Sequence, residues 1–334
     1  MVFPRDRSQP PRTVLLWKIG ALGDVLMTTP LLRQLRAALP NSRIDYLTGN
    51  GCMAVLQGNP HIDQVLGFDE SILYAGQVAR AATLLPLLRG YDAIFVLDKH
   101  WIFSLLAWLA RAPMRVGFSR RWHEGALHTH RVPYGALRHE IDYYLDLAAV
   151  LQLPVDRADT RLQLPVGEPF SLPEPYVVLV NSGGDNRNER SSVRRLPPPL
   201  FDELVASCSG RATLVFLGTQ AESAQYERYA SRTALNLCGR TSLRQAWTVL
   251  QRAQAVYTTD TGLMHMAAAV NANVTAIFGP THPLRKCPPG ARWVGRDEAL
   301  YRPDYELFGR VPAARYFRTL RAEDILERAQ PGPL

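Results

Sequence analysis

The chain has 334 residues, 47% of them hydrophobic, and a formal net charge of +8 at pH 7. This length exceeds what one hydrophobic core usually supports, so we expect two domains. The positive charge is dispersed, without the long basic block of a nucleic-acid-binding tail. Four widely spaced cysteines form no Cys-x-x-Cys pair, which disfavours a zinc site or a disulfide framework and favours reduced thiols in the cytoplasm.

The amino terminus and the apolar segments bear on membrane targeting. Residues 1–12 are polar and rich in proline and arginine, so we predict a loose tail there and no signal peptide. The most apolar helical stretch, 101–110, is far shorter than the ~20 residues that span a bilayer. We predict that the apolar residues of this stretch, including Trp101 and Trp108, form a helix core, with a lipid-contacting face as the alternative. The sequence therefore predicts a soluble protein that can still touch a membrane surface.

The first half of the chain alternates between apolar runs and helical patterns. We predict strands at 14–19, 43–48, 64–68, 91–97 and 115–118, and helices at 25–39, 52–58, 74–89, 101–111 and 139–151. This alternation is typical of parallel α/β units. A proline-rich, weakly periodic segment at 154–175 is the predicted linker.

The same pattern restarts after the linker. We predict strands at 176–180, 213–217, 236–239, 253–259 and 274–278, and helices at 198–207, 221–231, 243–252, directly after 260, and at 322–329. The predicted organisation is thus a tail (1–12), a first α/β domain (13–153), the linker (154–175) and a second α/β domain (176–334). The last helix is a candidate to pack back on the first domain. Ligands bind outside the carboxyl ends of the strands in such sheets, so two sheets facing each other would enclose a cleft.

The run Asp-Thr-Gly-Leu-Met-His at 260–265 lies between a predicted strand and an alanine-rich helix. The backbone N–H groups of Asp260, Thr261 and Gly262 would therefore lie at a helix N-terminus, which favours an anion such as phosphate. His265 lies four residues after Thr261 and shares its helical face. The alternative is an ordinary N-cap aspartate with a half-buried histidine.

The turn Gly-Ala-Leu-Gly-Asp at 20–24 follows the first predicted strand. It lacks the glycine spacing of a dinucleotide fingerprint and the Gly-Lys-Ser/Thr of a P-loop, which disfavours a nicotinamide enzyme or a nucleoside triphosphatase. Gly23 still permits close approach of a ligand, here an acceptor, to the backbone. Asp24 is either a helix N-cap or a general base with access to the cleft.

Three further segments fit a nucleotide with a diphosphate. In the loop 181–197, Ser182 and Gly183 offer backbone donors, and four arginines offer guanidinium groups: Arg187, Arg190, Arg194 and Arg195. Gly218 and Glu222 lie at another strand end, where a ribose can be hydrogen-bonded. Gly239 and Thr241 precede a helix and line a base pocket in this interpretation. Alternatively, the arginines form a solvated basic loop, and Thr241 or Ser242 only caps the helix.

An anionic acceptor has fewer candidate ligands. Lys99 and His100 follow the 91–97 strand, and Arg120, Arg121 and His139 are further basic candidates. Ordinary surface charge explains each of them equally well.

Taken together, these segments resemble glycosyltransferase family 9, the ADP-heptose-dependent heptosyltransferases of lipopolysaccharide core assembly. The resemblance rests on KIGALGDVLMTTP at 18–30, GRTSL at 239–243, DTGLMHMAAA at 260–269 and IFGPT at 277–281, in that order and spacing. It implies a GT-B fold, in which two Rossmann-like α/β domains face an inter-domain cleft. The first would hold the acceptor and the second the sugar nucleotide.

The resemblance also implies a reaction. Asp24 matches the family's general base, which deprotonates an acceptor hydroxyl for inverting attack on the anomeric carbon. No cofactor and no divalent metal are expected, and no nucleic acid. The implied partners are ADP-heptose, a glycolipid of the lipopolysaccharide core, and the inner face of the cytoplasmic membrane by peripheral contact. The run Arg194–Leu196 departs from the family's Lys-Arg-Trp, so either arginine can stand for the family's lysine.

Alternatives to this function remain open. The same chemistry on a secondary metabolite or a protein is one, because acceptor loops vary freely within a fold. A sugar-nucleotide epimerase of GT-B architecture is another, and it would need no acceptor. Nucleic-acid binding is the weakest, because the basic residues do not interleave with exposed aromatics.

Overall fold

A computed structural model describes residues 10–74, 78–183, 191–210, 212–295, 300–303, 315–327 and 330–332. The chain forms two compact units. The first comprises Met1–Ala136 and Ile141–Asp159, and the second comprises Leu137–Glu140 and Thr160–Leu334. The predicted linker, 154–175, contains no helix or strand and is shared between the two units.

The first unit is built on a parallel six-stranded sheet. Its strands are β1 (Thr13–Trp17), β2 (Arg43–Gly49), β3 (Gln64–Phe68), β4 (Ala93–Val96), β5 (Met114–Ser119) and β6 (His130–Pro133). Their order is β3-β2-β1-β4-β5-β6, so the direction of winding reverses between β1 and β4. Ligands of open α/β sheets bind at such a switch point, outside the carboxyl ends of the strands.

The helices of the first part of the chain are shorter than predicted. They are α1 (Leu22–Leu26), α2 (Thr29–Ala38), α3 (Ser71–Tyr74), α4 (Val78–Ala81), α5 (Leu85–Leu88), α6 (Trp101–Leu109) and α7 (Glu140–Ala149), with 3₁₀ turns at Asn50–Val55 and Ala82–Leu84. The single helix predicted at 25–39 is wrong, and the helix predicted at 74–89, for which Pro86 indicated a perturbation, contains separate short helices. Pro30 and Pro86 each lie in the first turn of a new helix, because proline has no N–H to continue the preceding one.

Helix α6 corrects another prediction. Its residues Ile102, Phe103 and Leu106 are buried, and the Phe103 ring packs edge-on against Trp17 at 4.9 Å between centroids. Trp101 and Trp108, by contrast, are 38% and 49% exposed and are not core residues. No helix in the described ranges is both long and apolar enough to cross a membrane.

The second unit repeats the winding of the first. Its strands are β7 (Tyr176–Val180), β8 (Thr213–Phe216), β9 (Ala234–Asn236), β10 (Ala255–Thr259), β11 (Val274–Phe278), β12 (Arg292–Gly295) and β13 (Gln330–Pro331). The order is β13-β12-β11-β10-β7-β8-β9, and only the β12–β13 pair is antiparallel. The switch point therefore lies between β7 and β10. The α/β prediction is confirmed in both units.

The helices of the second unit are α8 (Pro198–Cys208), α9 (Leu243–Arg252), α10 (Gly262–Val270), α11 (Pro283–Lys286) and α12 (Ala322–Glu327). The α-helix predicted at 221–231 is instead two 3₁₀ helices, Gln220–Gln225 and Glu227–Tyr229. Strands β6, β12 and β13 and helix α11 have no counterpart in the prediction. Helix α12 buries Ala322 and Ile325 in the core of the second unit, beside α8.

Candidate functional site

Two charged side chains, those of Lys18 and Asp98, lie at the switch point of the first sheet. Lys18 directly follows β1, and Asp98 follows β4, the neighbouring strand. The Lys18 Nζ atom donates to Asp98 Oδ1 at 2.5 Å, and the backbone N–H of Ile19 donates to Asp98 Oδ2 at 2.8 Å. Both oxygens of Asp98 are thus held by the segment that leaves β1.

Asp24 lies close to this pair, in the first turn of α1. Its Oδ2 atom is 3.7 Å from Lys18 Nζ. The N-cap of α1 is Ala21, so the N-capping interpretation of Asp24 is wrong. A carboxylate in a first helical turn is stabilised by the helix dipole. The Asp24 side chain is 27% exposed, against 15% for Asp98, so Asp24 is the carboxylate that a ligand can reach.

Lys18 is a buried cation between two carboxylates. Burial alone would lower the pKa of its ammonium group, but Asp98 and Asp24 outweigh this effect and raise the pKa above its ordinary value. Lys18 therefore stays charged throughout the neutral pH range. Gly23, predicted to approach the acceptor, is buried beside Asp24 in the same helix.

The predicted acceptor ligands of the first unit have structural contacts of their own. The Lys99 ammonium lies 4.1 Å from the centre of the Tyr134 ring. His100 caps α6, with its Nδ1 accepting from the Ile102 N–H at 3.4 Å. Arg120 forms a two-pronged ion pair with Glu124, with N–O distances of 2.9 and 2.6 Å. Their role toward an acceptor stays a prediction.

His139 belongs to the second unit and is buried, with its Nε2 atom 2.9 Å from the carbonyl oxygen of Cys287. The adjacent Glu140 is also buried and faces Arg285 and Lys286 at 3.5 and 3.8 Å. The role of His139 toward an acceptor stays a prediction.

In the second unit, the 260–265 segment lies where the sequence predicts it. Asp260 follows β10, Thr261 is the N-cap of α10, and Gly262 is the first residue of that helix. Asp260, Thr261 and His265 are buried, and Gly262 is partly buried. Within the described residues, the Thr261 hydroxyl is buried and has no hydrogen-bond partner. A buried hydroxyl of this kind at a helix N-terminus can bond an anionic ligand.

Arg194 meets Asp260 at this position. Its guanidinium nitrogen is 3.5 Å from Asp260 Oδ2, and the two side chains are 16% and 6% exposed. The backbone around Leu196 is fixed by Asn181, whose Oδ1 accepts from the Leu196 N–H at 2.7 Å. Leu196, which replaces the family's tryptophan, is itself buried in the core. Residues 184–190, which include Arg187 and Arg190, lie outside the described ranges.

Glu222 joins the loops after β7 and β8. It completes a capping box by accepting from the Thr219 N–H at 2.9 Å, and it accepts from the Ser182 hydroxyl. Arg195 lies 3.4 Å from its Oε1 atom. Thus Ser182, Arg195 and Glu222 are brought together, and the adjoining Gly183 is buried. Their role toward a nucleotide stays a prediction.

The glycines of the predicted nucleoside pocket are tightly placed. A Cβ atom on Gly218 would lie 2.7 Å from Glu222 Oε2 and 3.1 Å from Cys238 Sγ. Gly239 has φ +69°, and a Cβ there would be 2.8 Å from the Gln220 backbone. Ser242, not Thr241, caps α9 by accepting from the Gln245 N–H. Thr241 is half-buried, and its role in the nucleoside pocket stays a prediction.

Sequence reasoning did not single out Lys18 or Asp98. The available signal was positional: both follow buried strands, and a lysine and an aspartate at neighbouring strand ends form an ion pair if those strands are adjacent. Adjacency of β1 and β4 depends on the winding order, which a single sequence does not reveal.

The chain is similar to known proteins over most of its length. Residues 85–296, more than half of the chain, match the sequence profile of glycosyltransferase family 9 (heptosyltransferase). Lipopolysaccharide heptosyltransferase 2 of Salmonella typhimurium is 27% identical over 286 residues, which cover 78% of this chain and 81% of that protein.

Solved structures show the same fold. The E. coli ADP-heptose lipopolysaccharide heptosyltransferase II superimposes with a TM-score of 0.69 at 21% identity, covering 88% of this chain and 96% of that one. E. coli heptosyltransferase WaaC with ADP-2-deoxy-2-fluoro heptose gives a TM-score of 0.70 at 18% identity, covering 95% and 98%. The predicted GT-B fold is confirmed.

Proposed function

The chain belongs to glycosyltransferase family 9, and we propose that it transfers heptose from ADP-heptose to a hydroxyl of a lipopolysaccharide core acceptor. The transfer is inverting and independent of metal, with Asp24 as the general base. The single observation that carries this proposal is the extended similarity to lipopolysaccharide heptosyltransferase 2, at 27% identity over 78% of the chain.

Asp24 is the best placed base among the carboxylates described above. Its side chain is more exposed than those of Asp98 and Asp260. The acceptor hydroxyl gives its proton to the Asp24 carboxylate, and its oxygen attacks the anomeric carbon. The bond from that carbon to the diphosphate breaks, and ADP leaves with the bonding electron pair.

The N-terminus of α10 is the proposed diphosphate site. The N–H groups of Asp260, Thr261 and Gly262 and the buried Thr261 hydroxyl supply donors there, and the helix dipole favours the charge that develops on the leaving phosphate. His265 lies one turn further along the same helix. One well-placed donor of this kind is worth about 3 kcal/mol in the transition state.

Arg194 is the proposed counterpart of the family's lysine. It lies beside Asp260 at the diphosphate site, whereas Arg195 faces Glu222 on the nucleoside side. Ser182, Gly183, Gly218, Glu222, Gly239 and Thr241 complete the proposed nucleotide site. Glu222 is the candidate for the ribose hydroxyls, since a carboxylate accepts from two neighbouring O–H groups.

The proposed acceptor site consists of one glycine and four basic residues. Gly23, Lys99, His100, Arg120 and His139 are its candidate residues. A glycolipid acceptor would bring the enzyme to the inner face of the cytoplasmic membrane, and we propose that the contact is peripheral. No cofactor is proposed.

Donor binding tests this function directly. Calorimetry with ADP-, GDP-, UDP- and dTDP-linked sugars is expected to show the tightest binding for ADP-heptose, and incubation with ADP-heptose and a lipopolysaccharide core acceptor is expected to release ADP. Preference for another base would overturn the donor, and no ADP release with this acceptor would overturn the acceptor. Conversion of the donor without any acceptor would instead indicate an epimerase.

A further inference from the structure

The first unit contains a buried charged pair, Lys18 and Asp98, that the proposed chemistry leaves unused. Both side chains are largely inaccessible, with exposures of 5% and 15%. A buried ion pair is weak evidence of a stabilising role, because desolvation of the two charges can exceed their mutual attraction. Its position at the switch point, beside the proposed base, requires another explanation.

Asp98 cannot itself act as a base toward a substrate. Its Oδ1 atom accepts from Lys18 Nζ at 2.5 Å and its Oδ2 atom accepts from the Ile19 N–H at 2.8 Å. Asp98 therefore fixes two things at once. It holds the ammonium group of Lys18, and it holds the backbone that leads into the turn before α1.

The same ammonium group reaches the proposed base. Lys18 Nζ lies 3.7 Å from Asp24 Oδ2. Asp24 is fixed in α1, and Lys18 is fixed by Asp98, so the separation of the two charges is set by two independent anchors. At such a distance a cation favours the ionised form of a carboxylate.

We propose that Lys18, held by Asp98, is a positioning residue that keeps Asp24 ionised and oriented for proton abstraction. This proposal rests on Asp24 being the base of the proposed transfer reaction. Asp98 acts through Lys18. It fixes the position of the Lys18 ammonium group, and its own negative charge partly offsets the effect of that ammonium group on Asp24.

Other titratable groups surround the three residues. They are Lys99, Cys52, Glu70 and Tyr46. Burial raises the pKa of the Cys52 thiol to about 11 and also raises the pKa of Tyr46, so both are neutral near pH 7. The acidic limb of the reaction's pH profile is therefore expected to follow the Asp24 carboxylate, which lies 3.7 Å from the Lys18 ammonium group.

Two substitutions are expected to move that limb in opposite directions. In K18M the Asp24 carboxylate loses its neighbouring cation. The midpoint of the acidic limb of kcat/KM should therefore rise by about one pH unit. In D98N, Lys18 loses its competing carboxylate, so the midpoint should fall. K18R keeps the charge and should leave the midpoint near its native value. The dissociation constant of ADP, which binds in the second unit, should be unchanged in all three.

A purely structural role predicts a different pattern. Activity would then fall in K18M and D98N with an unmoved acidic limb, and that result would overturn the proposal. If either single variant does not fold by circular dichroism, the double variant K18M/D98N removes both buried charges together. Its midpoint should still rise, because the double variant loses the cation that lies 3.7 Å from Asp24, and an unmoved midpoint would again overturn the proposal.

The D24N variant separates this proposal from the proposed function. Retained turnover in D24N would overturn Asp24 as the base, and with it the positioning role of Lys18, whereas failure of the transfer reaction itself would show as absent ADP release by the native enzyme. Lost turnover in D24N, combined with unmoved acidic limbs in K18M and D98N, would overturn only the positioning role of Lys18 and Asp98.

Discussion

The Ser182 hydroxyl donates a hydrogen bond to Glu222, and this contact joins the loop after β7 to the turn after β8. The same carboxylate closes the capping box with the Thr219 N–H and faces Arg195 at 3.4 Å. One buried acidic side chain thus organises two of the loops at the switch point of the second sheet. Its loss should affect both folding and nucleotide binding.

We therefore expect E222A to lower the free energy of unfolding of the second unit by about 2 kcal/mol, the upper range for loss of a helix cap. ADP binding should weaken by about tenfold, the equivalent of one hydrogen bond to a charged group. Thermal melting and calorimetry measure the two effects. E222Q keeps one acceptor oxygen and should lose less of each. Unchanged ADP affinity in E222A would remove Glu222 from the nucleotide site.

The two arginines at 194 and 195 are expected to differ in function. R194A should weaken binding of the sugar nucleotide by about tenfold or more, because a charge-assisted bond to the diphosphate is lost. R194K should recover part of that affinity, since lysine also binds phosphate as a point charge. R195A is the matched control and should lose less. A larger loss of sugar-nucleotide affinity in R195A than in R194A would assign the diphosphate contact to Arg195 instead of Arg194.

Gly218 tests the packing of the nucleoside pocket. In G218A the added methyl group would meet Glu222 Oε2 at 2.7 Å and Cys238 Sγ at 3.1 Å, so one of these side chains must move. We expect a lower melting temperature and weaker ADP binding. Gly51 is the control, because a Cβ atom there has no neighbour within 4 Å. Equal behaviour of G218A and G51A would contradict the described placement of Glu222.

The stability of the first unit should depend on pH through His128. Burial lowers the pKa of its imidazole to about 4, with smaller contributions from Arg115 and Arg131. Because the folded pKa lies below the unfolded value of about 6.5, the unfolded state binds the proton more tightly. The stability contribution is therefore complete above pH 6.5 and is lost as the pH falls toward 4.

The full loss below pH 4 amounts to about 3 kcal/mol, from 1.36 kcal/mol per pKa unit. Denaturation curves of the native protein and H128Q between pH 4 and 7 measure this contribution. The native protein should lose more stability than H128Q over that interval. Parallel losses in the two proteins would show that His128 does not govern the pH dependence.

The sequence predicted elements with strong patterns and missed those decided by tertiary context. Strands β3, β7 and β11 and helix α9 have the predicted bounds. Short strands such as β6, β12 and β13 were missed, because their few residues carry little periodicity. The helix predicted at 221–231 failed for another reason. The Glu222 capping box forms there, but a 3₁₀ helix follows it.

In the candidate site, too, residues marked by local sequence patterns were predicted and contacts decided by the tertiary fold were not. Asp24, Asp260 and Thr261 were predicted from strand-to-turn-to-helix patterns, and the structure puts each at such a junction. The Lys18–Asp98 pair was not predictable, because it joins residues 80 positions apart across the adjacent strands β1 and β4. The family resemblance identified single motifs, but the partners of Arg194 and Arg195 became visible only with the fold.

The central claim is that Asp24 is the base of a glycosyl transfer from ADP-heptose, and D24N tests it most directly. Transfer to the lipopolysaccharide core acceptor should fall by at least about 100-fold, the low end for loss of a general base. The dissociation constant of ADP-heptose, measured by calorimetry on the same preparation, should stay within about twofold of native, since the asparagine keeps the shape of the side chain. Turnover by D24N at a rate near that of the native enzyme would contradict the claim.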